Sequence, residues 1–370
     1  MSAVLEAPSI QLDAKLFQLP ISRGYVAHWG MAEGVREIMQ NAIDSDSPFE
    51  YEFNGDTLVV RSRFSTLDAS TLLLGSTSKA GDDEAIGSFG EGYKIAMLVL
   101  VRAEYSVRIL NGPLIWTPFF MHSTTFNAEV LAIEETTNPA YNQGLAFEVS
   151  GLSDSDIADI RASCLFMQDH IGAVHTTSYG KILREKPGKL FVGGLFICDT
   201  ELEFGYDFKP EYLRLERDRQ TVNTFDLKWK AKDMWFETEQ WDELTALIES
   251  RCPDLEYAHH GTPEELTDAV YQSFRSSYPG AVAVSSERAR DEALASGISN
   301  IVVVPHFHSI LAYSSAYQRD IEAMPAPQKV KLSPKERLAE FMRSNRKGMR
   351  ASVKVAFKAL LADADEWSSK

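Results

Sequence analysis

The 370-residue chain holds only three cysteines, Cys164, Cys198 and Cys252. They are odd in number and far apart, which excludes a disulfide framework and a zinc ribbon. Isolated thiols suit a reducing cytoplasm and plain packing roles. No apolar run approaches the roughly eighteen residues that a membrane-spanning helix needs. The opening stretch, Met1 to Pro8, lacks the basic start of a secretory leader. A cytoplasmic protein with no membrane partner is therefore expected. There is no internal repeat, no low-complexity tract, and no Ser-His-Asp or Cys-His arrangement with local support. His259-His260 and His306-x-His308 lack carboxylate or thiolate neighbours at zinc-site spacing, so they read as surface or packing side chains.

Positive charge is also scarce. The formal net charge of −16 disfavours non-specific nucleic-acid binding over most of the surface. Cations concentrate in residues 329–358, where ten Lys and Arg stand against Glu336 and Glu340 alone. Ten cations less two anions make that segment +8, so the remainder of a −16 chain carries −24. A basic tail on an acidic body docks on its own protein or meets an acidic protein partner or client. Any contact with nucleic acid is confined to this tail.

What is present, 44% hydrophobic residues, suffices for at least two cores. Residues up to about Ser22 have no clear period. Trp29 to Ile43 reads as an amphipathic helix with Val35, Ile38, Met39 and Ala42 as its apolar stripe, stopped by Ser45-Asp-Ser-Pro48. Asn54-Gly55-Asp56, between Tyr51–Phe53 and Thr57–Arg61, predicts a hairpin. A short helix follows at 68–74 and a longer one at 91–102, then strands at 104–110, 114–118, 126–133 and 145–149. Helices on one side of a mostly antiparallel sheet give an α+β sandwich over 20–152 of a first domain, 1–152. Gly151-Leu-Ser153-Asp marks a boundary and caps a new helix. A second domain, 153–235, holds a strand pair at 189–198 and a Gly205-Tyr-Asp-Phe208 turn. A third, 236–324, contains one β-α-β unit: strands at 281–284 and 301–304, a helix at 286–296 and a stop at Gly297. Pro325-Ala-Pro327 is a stiff linker into the helical tail, 325–370, where Leu338, Phe341 and Met342 form a partial apolar stripe.

The chemistry concentrates in two short stretches. In Gly34-Val-Arg-Glu37-Ile-Met-Gln-Asn41-Ala-Ile-Asp44, Glu37 and Asn41 are four apart and share a helix face, with Asp44 a turn further on. A carboxylate and a carboxamide so placed can orient a water and hold an oxygen-loving cation such as Mg²⁺. Some forty residues later, Gly87-Ser-Phe89-Gly90-Glu91-Gly92-Tyr-Lys94 supplies amides free of Cβ and opens a helix, a ready anion site. Lys79 and Lys94 are the natural phosphate partners, and Ser76, Thr77 and Ser78 could donate as well.

Together these stretches resemble the N-box and third glycine motif of the GHKL ATPases. That superfamily includes the DNA gyrase B subunit, the ninety-kilodalton heat-shock chaperone, histidine kinases and MutL. Leu74 to Lys94 is similar in order, length and glycine placement to the nucleotide lid of the chaperone and MutL branches. The resemblance implies a Bergerat-type α/β sandwich ATPase domain, a transducer-like α/β domain and a small C-terminal α/β unit. It implies ATP and Mg²⁺ as cofactors, with Glu37 as general base and Asn41 as metal ligand. Asp44, Ser78, Lys79, Gly87, Phe89, Gly90, Glu91, Gly92 and Lys94 would lie about the nucleotide, and a homodimer would form through the ATPase domain. In such proteins the second domain reaches back to the γ-phosphate with a basic side chain, a role that Arg217 or Arg219 could fill; a surface ion-pair loop is the other reading.

The chain departs from that family where adenine is read. Asp-x-Gly-x-Gly is replaced by Ser62-Arg-Phe64-Ser-Thr66, and a later Gly-Thr by Gly144-Leu145. Phe64 could stack on a base, but a buried core position is expected for it. A histidine kinase is disfavoured, since those enzymes lack a base equivalent to Glu37 and no His-bearing helix pair precedes the domain. A Mg-dependent ATPase acting as a nucleotide-gated switch or clamp is the expectation; the alternative is a non-catalytic scaffold on a degenerate GHKL fold.

Overall fold

The computed structural model describes residues 15–45, 47–72, 92–138, 144–213, 223–324, 333–345 and 347–363. The chain is a mixed α+β protein that divides into two compact units, Met1–Gln240 with Cys252–Tyr257, and Trp241–Arg251 with Ala258–Lys370. Among the described residues no helix is long and apolar enough to cross a membrane.

In chain order, the first unit begins with β1 (Lys15–Ser22), α1 (Met31–Ile43), β2 (Phe49–Asn54), β3 (Thr57–Ser62) and α2 (Gly92–Arg102). It continues with β4 (Ser106–Asn111), β5 (Leu114–Ser123), β6 (Ala128–Thr137), β7 (Leu145–Ser150) and α3 (Asp154–Ser163). The seven strands form one sheet in the order β1-β6-β5-β4-β7-β3-β2, antiparallel at every pairing. The expected stripe of α1 is the buried one: Val35, Ile38, Met39 and Ala42 pack with Met97 and Leu100 of α2, Ile160 of α3, and Leu58, Val60 and Phe147 of the sheet. Successive side chains of β3 face opposite sides of the sheet: Leu58 and Val60 lie in that core, and Val59, also buried, lies in a small cluster with Leu110 and Ala146. Arg63, just past β3, pairs with Glu50 of β2 at 3.2 Å, and Arg108 of β4 with Glu148 of β7 at 3.4 Å.

Two readings of this region need correction. The entry segment contains β1, an edge strand in which Phe17, Leu19 and Ile21 turn inward while Gln18, Pro20 and Ser22 are exposed, with a register shift against β6 between Gln18 and Ser22. Phe64 is not a core residue; it is 81% exposed.

The same unit carries a second sheet. β8 (Val174–Thr176), β9 (Gly180–Leu183), β10 (Lys189–Val192), β11 (Leu195–Asp199) and β12 (Gly205–Phe208) lie in the order β11-β10-β12-β9-β8, followed by α4 (Thr224–Glu237). Gly205-Tyr-Asp-Phe208, read as a turn, is a buried strand between β10 and β9. Its glycine and aspartate look like turn residues, but a Cβ at Gly205 would stand 2.3 Å from Lys186 O, and Asp207 accepts the buried Gly194 N–H at 2.7 Å. Asp254 locks the end of this sheet: its carboxylate accepts from the Glu203 and Phe204 amides and the Tyr206 hydroxyl, which accepts in turn from Trp235 Nε1 at 2.9 Å. Burial raises the pKa of Asp254 despite those donors.

The second unit contains α5 (Trp241–Glu249), α6 (Glu264–Ser277), β13 (Val282–Val284), α7 (Glu287–Ala295), β14 (Ile301–Val303), α8 (Pro305–Leu311), α9 (Ser315–Glu322), α10 (Pro334–Asn345) and α11 (Ala351–Asp363). β13 and β14 pair in parallel around α7, the expected β-α-β unit, with Gly297 at φ +94° just past the helix. α10 and α11 form a hairpin, with Phe341 stacked on Phe357 at 5.3 Å.

Candidate functional site

α1 presents Glu37 and Asn41 one turn apart. Glu37 is fully buried, Asn41 half-buried. A buried carboxylate is tolerated only with compensating charge or donors nearby. Arg36 supplies charge: its Nη2 stands 3.7 Å from Glu37 Oε1, and its guanidinium lies 5.3 Å from the ring centre of buried Trp29. Sequence reasoning passed over Arg36 because adjacent helical residues point about 100° apart. The signal that could have found it is the need of any buried acid for a cation.

Asn41 Nδ2 donates to Glu37 O at 2.6 Å. The oxygen end of the amide would be repelled there, so this bond fixes the orientation and leaves Oδ1 as the available acceptor. Asp44 closes the helix as its C-cap, half-buried, with its backbone N–H donating to Gln40 O at 2.9 Å. α1 approaches α2 closely because Gly34 has no side chain: a Cβ there would lie 2.9 Å from Leu100 Cγ.

α2 opens at buried Gly92. Lys94 is fully buried and donates to Thr71 O at 2.7 Å, while the Tyr93 hydroxyl donates to Thr71 Oγ1, also at 2.7 Å. Burial pushes the Tyr93 phenol up to about 12. Thr71 belongs to the 3₁₀ turn Ala69–Leu72, the described part of the short helix expected at 68–74. Residues flanking 73–91 on the two sides are thus tied to one another. Ser76, Thr77, Ser78, Lys79, Gly87, Phe89, Gly90 and Glu91 lie outside the described residues, as do Arg217 and Arg219.

At the end of β3, Ser62 follows Leu58 and Val60 in the alternation and is buried among the helix-facing positions. The chain beyond it is held from two sides. Asn111 accepts from Leu67 N at 2.9 Å and donates to Leu67 O at 2.7 Å. Gly144, at φ +87°, lies so near that a Cβ would stand 2.3 Å from Arg63 O. No carboxylate occupies the Ser62–Thr66 stretch.

The residues present suit phosphate and magnesium better than an adenine amino group. A helix start without Cβ offers amides to an anion, and Asn41 Oδ1 is the kind of neutral oxygen that Mg²⁺ accepts beside phosphate oxygens. Among the described residues no three His, Cys, Asp or Glu side chains converge as a metal site. His259 and His260 contact each other at 4.0 Å, and His306 has its pKa lowered by burial and by Arg251. Cys164 and Cys252 are buried, the Cys164 thiol being pushed to about 11 by burial, in keeping with packing roles.

No family model matches the chain. Over 219 residues it is 25% identical to an uncharacterized protein of Mycoplasma pneumoniae (strain ATCC 29342 / M129 / Subtype 1), a match covering 54% of this chain and 89% of that protein.

Proposed function

We propose that the chain is a Mg-dependent, GHKL-type protein that binds and hydrolyses ATP and works as a nucleotide-gated switch or clamp. The observation that carries this reading is α1 itself: a buried carboxylate and a half-buried carboxamide one turn apart, beside a second helix that opens on glycine. The antiparallel sheet under α1, α2 and α3 takes the part of a Bergerat-type sandwich, and the second sheet that of a transducer. Asn41 would hold Mg²⁺ through Oδ1, and the α2 amides from Gly92 onward would face phosphate. Bound magnesium supplies charge neutralisation of the transferring phosphoryl oxygens. Glu37 takes the proton of the attacking water, with Arg36 beside it at 3.7 Å. Residues 75–92 act as the lid, and Thr71 before it is tied to Tyr93 and Lys94 after it. Closure of the lid then alters contacts in a homodimer, or with a protein client, in the cytoplasm.

A non-catalytic scaffold on the same fold is the second reading, favoured by Ser62 and exposed Phe64 where an adenine-reading carboxylate and glycine would stand. Titration with ATP and Mg²⁺ against GTP, with limited proteolysis at 75–92, separates the two. Saturable Mg-dependent binding with protection of that segment by a non-hydrolysable analogue is expected. An unchanged cleavage pattern at saturating analogue favours the scaffold.

A further inference from the structure

We infer that Arg102, at the far end of α2, is a positioning residue for Glu37, acting through the loop that leads into α1. Its effect on turnover rests on the reading of Glu37 given above; its effect on α1 does not. Residues 23–29 join β1 to Gly30, the N-cap of α1. Arg102 Nη1 donates to the carbonyls of Arg23 and Tyr25 at 3.2 and 2.8 Å, and Nη2 to those of Val26 and Trp29 at 3.1 and 2.8 Å. One planar fork thus fixes four carbonyls of a single loop, which the compact ammonium of lysine cannot do. Within the loop Val26 sits at φ +45°, a conformation that a β-branched residue keeps only where its surroundings over-determine it.

Trp29 carries the constraint inward. Its ring packs with Ile95 and Val99 of α2, and Arg36 lies against that ring before reaching Glu37. Arg102, Trp29, Arg36 and Glu37 therefore form one continuous path of contacts. Because the other end of α2 is Gly92, a shift of α2 at the phosphate end would also reach α1 through its entry loop.

The test uses Arg102→Ala, Arg102→Lys and Arg102→Gln in the full chain. Hydrogen exchange is measured beside Mg-dependent ATP turnover and nucleotide affinity. In Arg102→Ala the amides of residues 34–41 are expected to exchange about tenfold faster or more, while those of α3 keep their protection. Turnover should fall by about 10- to 100-fold with affinity changed less than about threefold. Arg102→Lys and Arg102→Gln should behave like Arg102→Ala. Added guanidinium ion at millimolar concentration should restore Arg102→Ala and leave Glu37→Ala inactive. Unchanged exchange at 34–41 in a folded Arg102→Ala protein overturns the inference, as does a loss of affinity equal to the loss of turnover. Wild-type protein without Mg-dependent turnover removes the ATPase reading and the role in turnover with it. The exchange result then decides whether Arg102 sets α1.

Discussion

Glu37 and Asn41 stand on one helix face yet are asked for different chemistry, and substitution separates them. Glu37→Ala should abolish ATP hydrolysis and leave nucleotide binding, because it removes a proton acceptor and no phosphate contact. Asn41→Ala should weaken Mg-nucleotide binding itself, by about tenfold if one metal–oxygen contact is lost. Calorimetric titration beside a phosphate-release assay reads both; wild-type turnover in Glu37→Ala removes it as the base. This pair was legible in the sequence because a four-residue spacing fixes a shared face whatever the tertiary fold. Arg36 and Arg102 were not, since one faces Glu37 only through burial and the other meets its carbonyls across 73 to 79 positions of chain. The Asp254 knot was equally hidden. Tyr206→Phe leaves Trp235 Nε1 without its acceptor and removes one of the two donors to Asp254 Oδ2, which keeps the Phe204 amide, and should cost about 1–3 kcal/mol in urea unfolding. The pH dependence follows from burial. With its folded pKa raised, Asp254 contributes stability that is fully present below the ordinary aspartate value and is lost as pH climbs through the raised one. Asp207, also raised by burial, adds to the same trend. Unfolding free energy should fall across that window in the wild type, and less steeply in Asp254→Asn.

The contact between α1 and α2 turns on Gly34 and Leu100. Gly34→Ala brings a gain in helix propensity of about 1 kcal/mol, but its Cβ overlaps Leu100. Leu100→Ala alone leaves a cavity costing about 2–5 kcal/mol. The double variant should be more stable than the sum of the two single effects predicts, by about 1 kcal/mol, in a denaturation cycle; simple additivity means that the helices do not meet there. Elements with a strong local code, such as α1, the β2–β3 hairpin and the β13-α7-β14 unit, could be read directly. β1 and β12 could not. The first alternates over only Phe17, Leu19 and Ile21, and exposed Leu16 beside them blurs the period, while the second borrows turn-type residues because its glycine and aspartate serve neighbouring backbone.

Charge is a property of the whole chain, and its asymmetry sets what the helical tail can meet. A −24 remainder repels a polyanion brought alongside. Phe341, Val355 and Leu360 of the α10–α11 hairpin are 50%, 69% and 39% exposed, apolar surface that a phosphate backbone would leave uncovered. A mobility-shift assay at roughly 50 and 200 mM salt, with and without residues 329–370, should therefore find no tail-dependent, salt-sensitive DNA retention; finding it assigns the tail to nucleic acid. The route of the chain between its two compact units has a further consequence, for inheritance. The chain leaves the first unit after Gln240, returns for Cys252–Tyr257, and leaves again. The returning stretch carries Asp254, on which Tyr206 and the Glu203 and Phe204 amides depend. No single recombination breakpoint between residues 240 and 258 can pass on the first unit complete without part of the second. A breakpoint that spares the first unit therefore falls after Tyr257 and carries residues 241–251 with it.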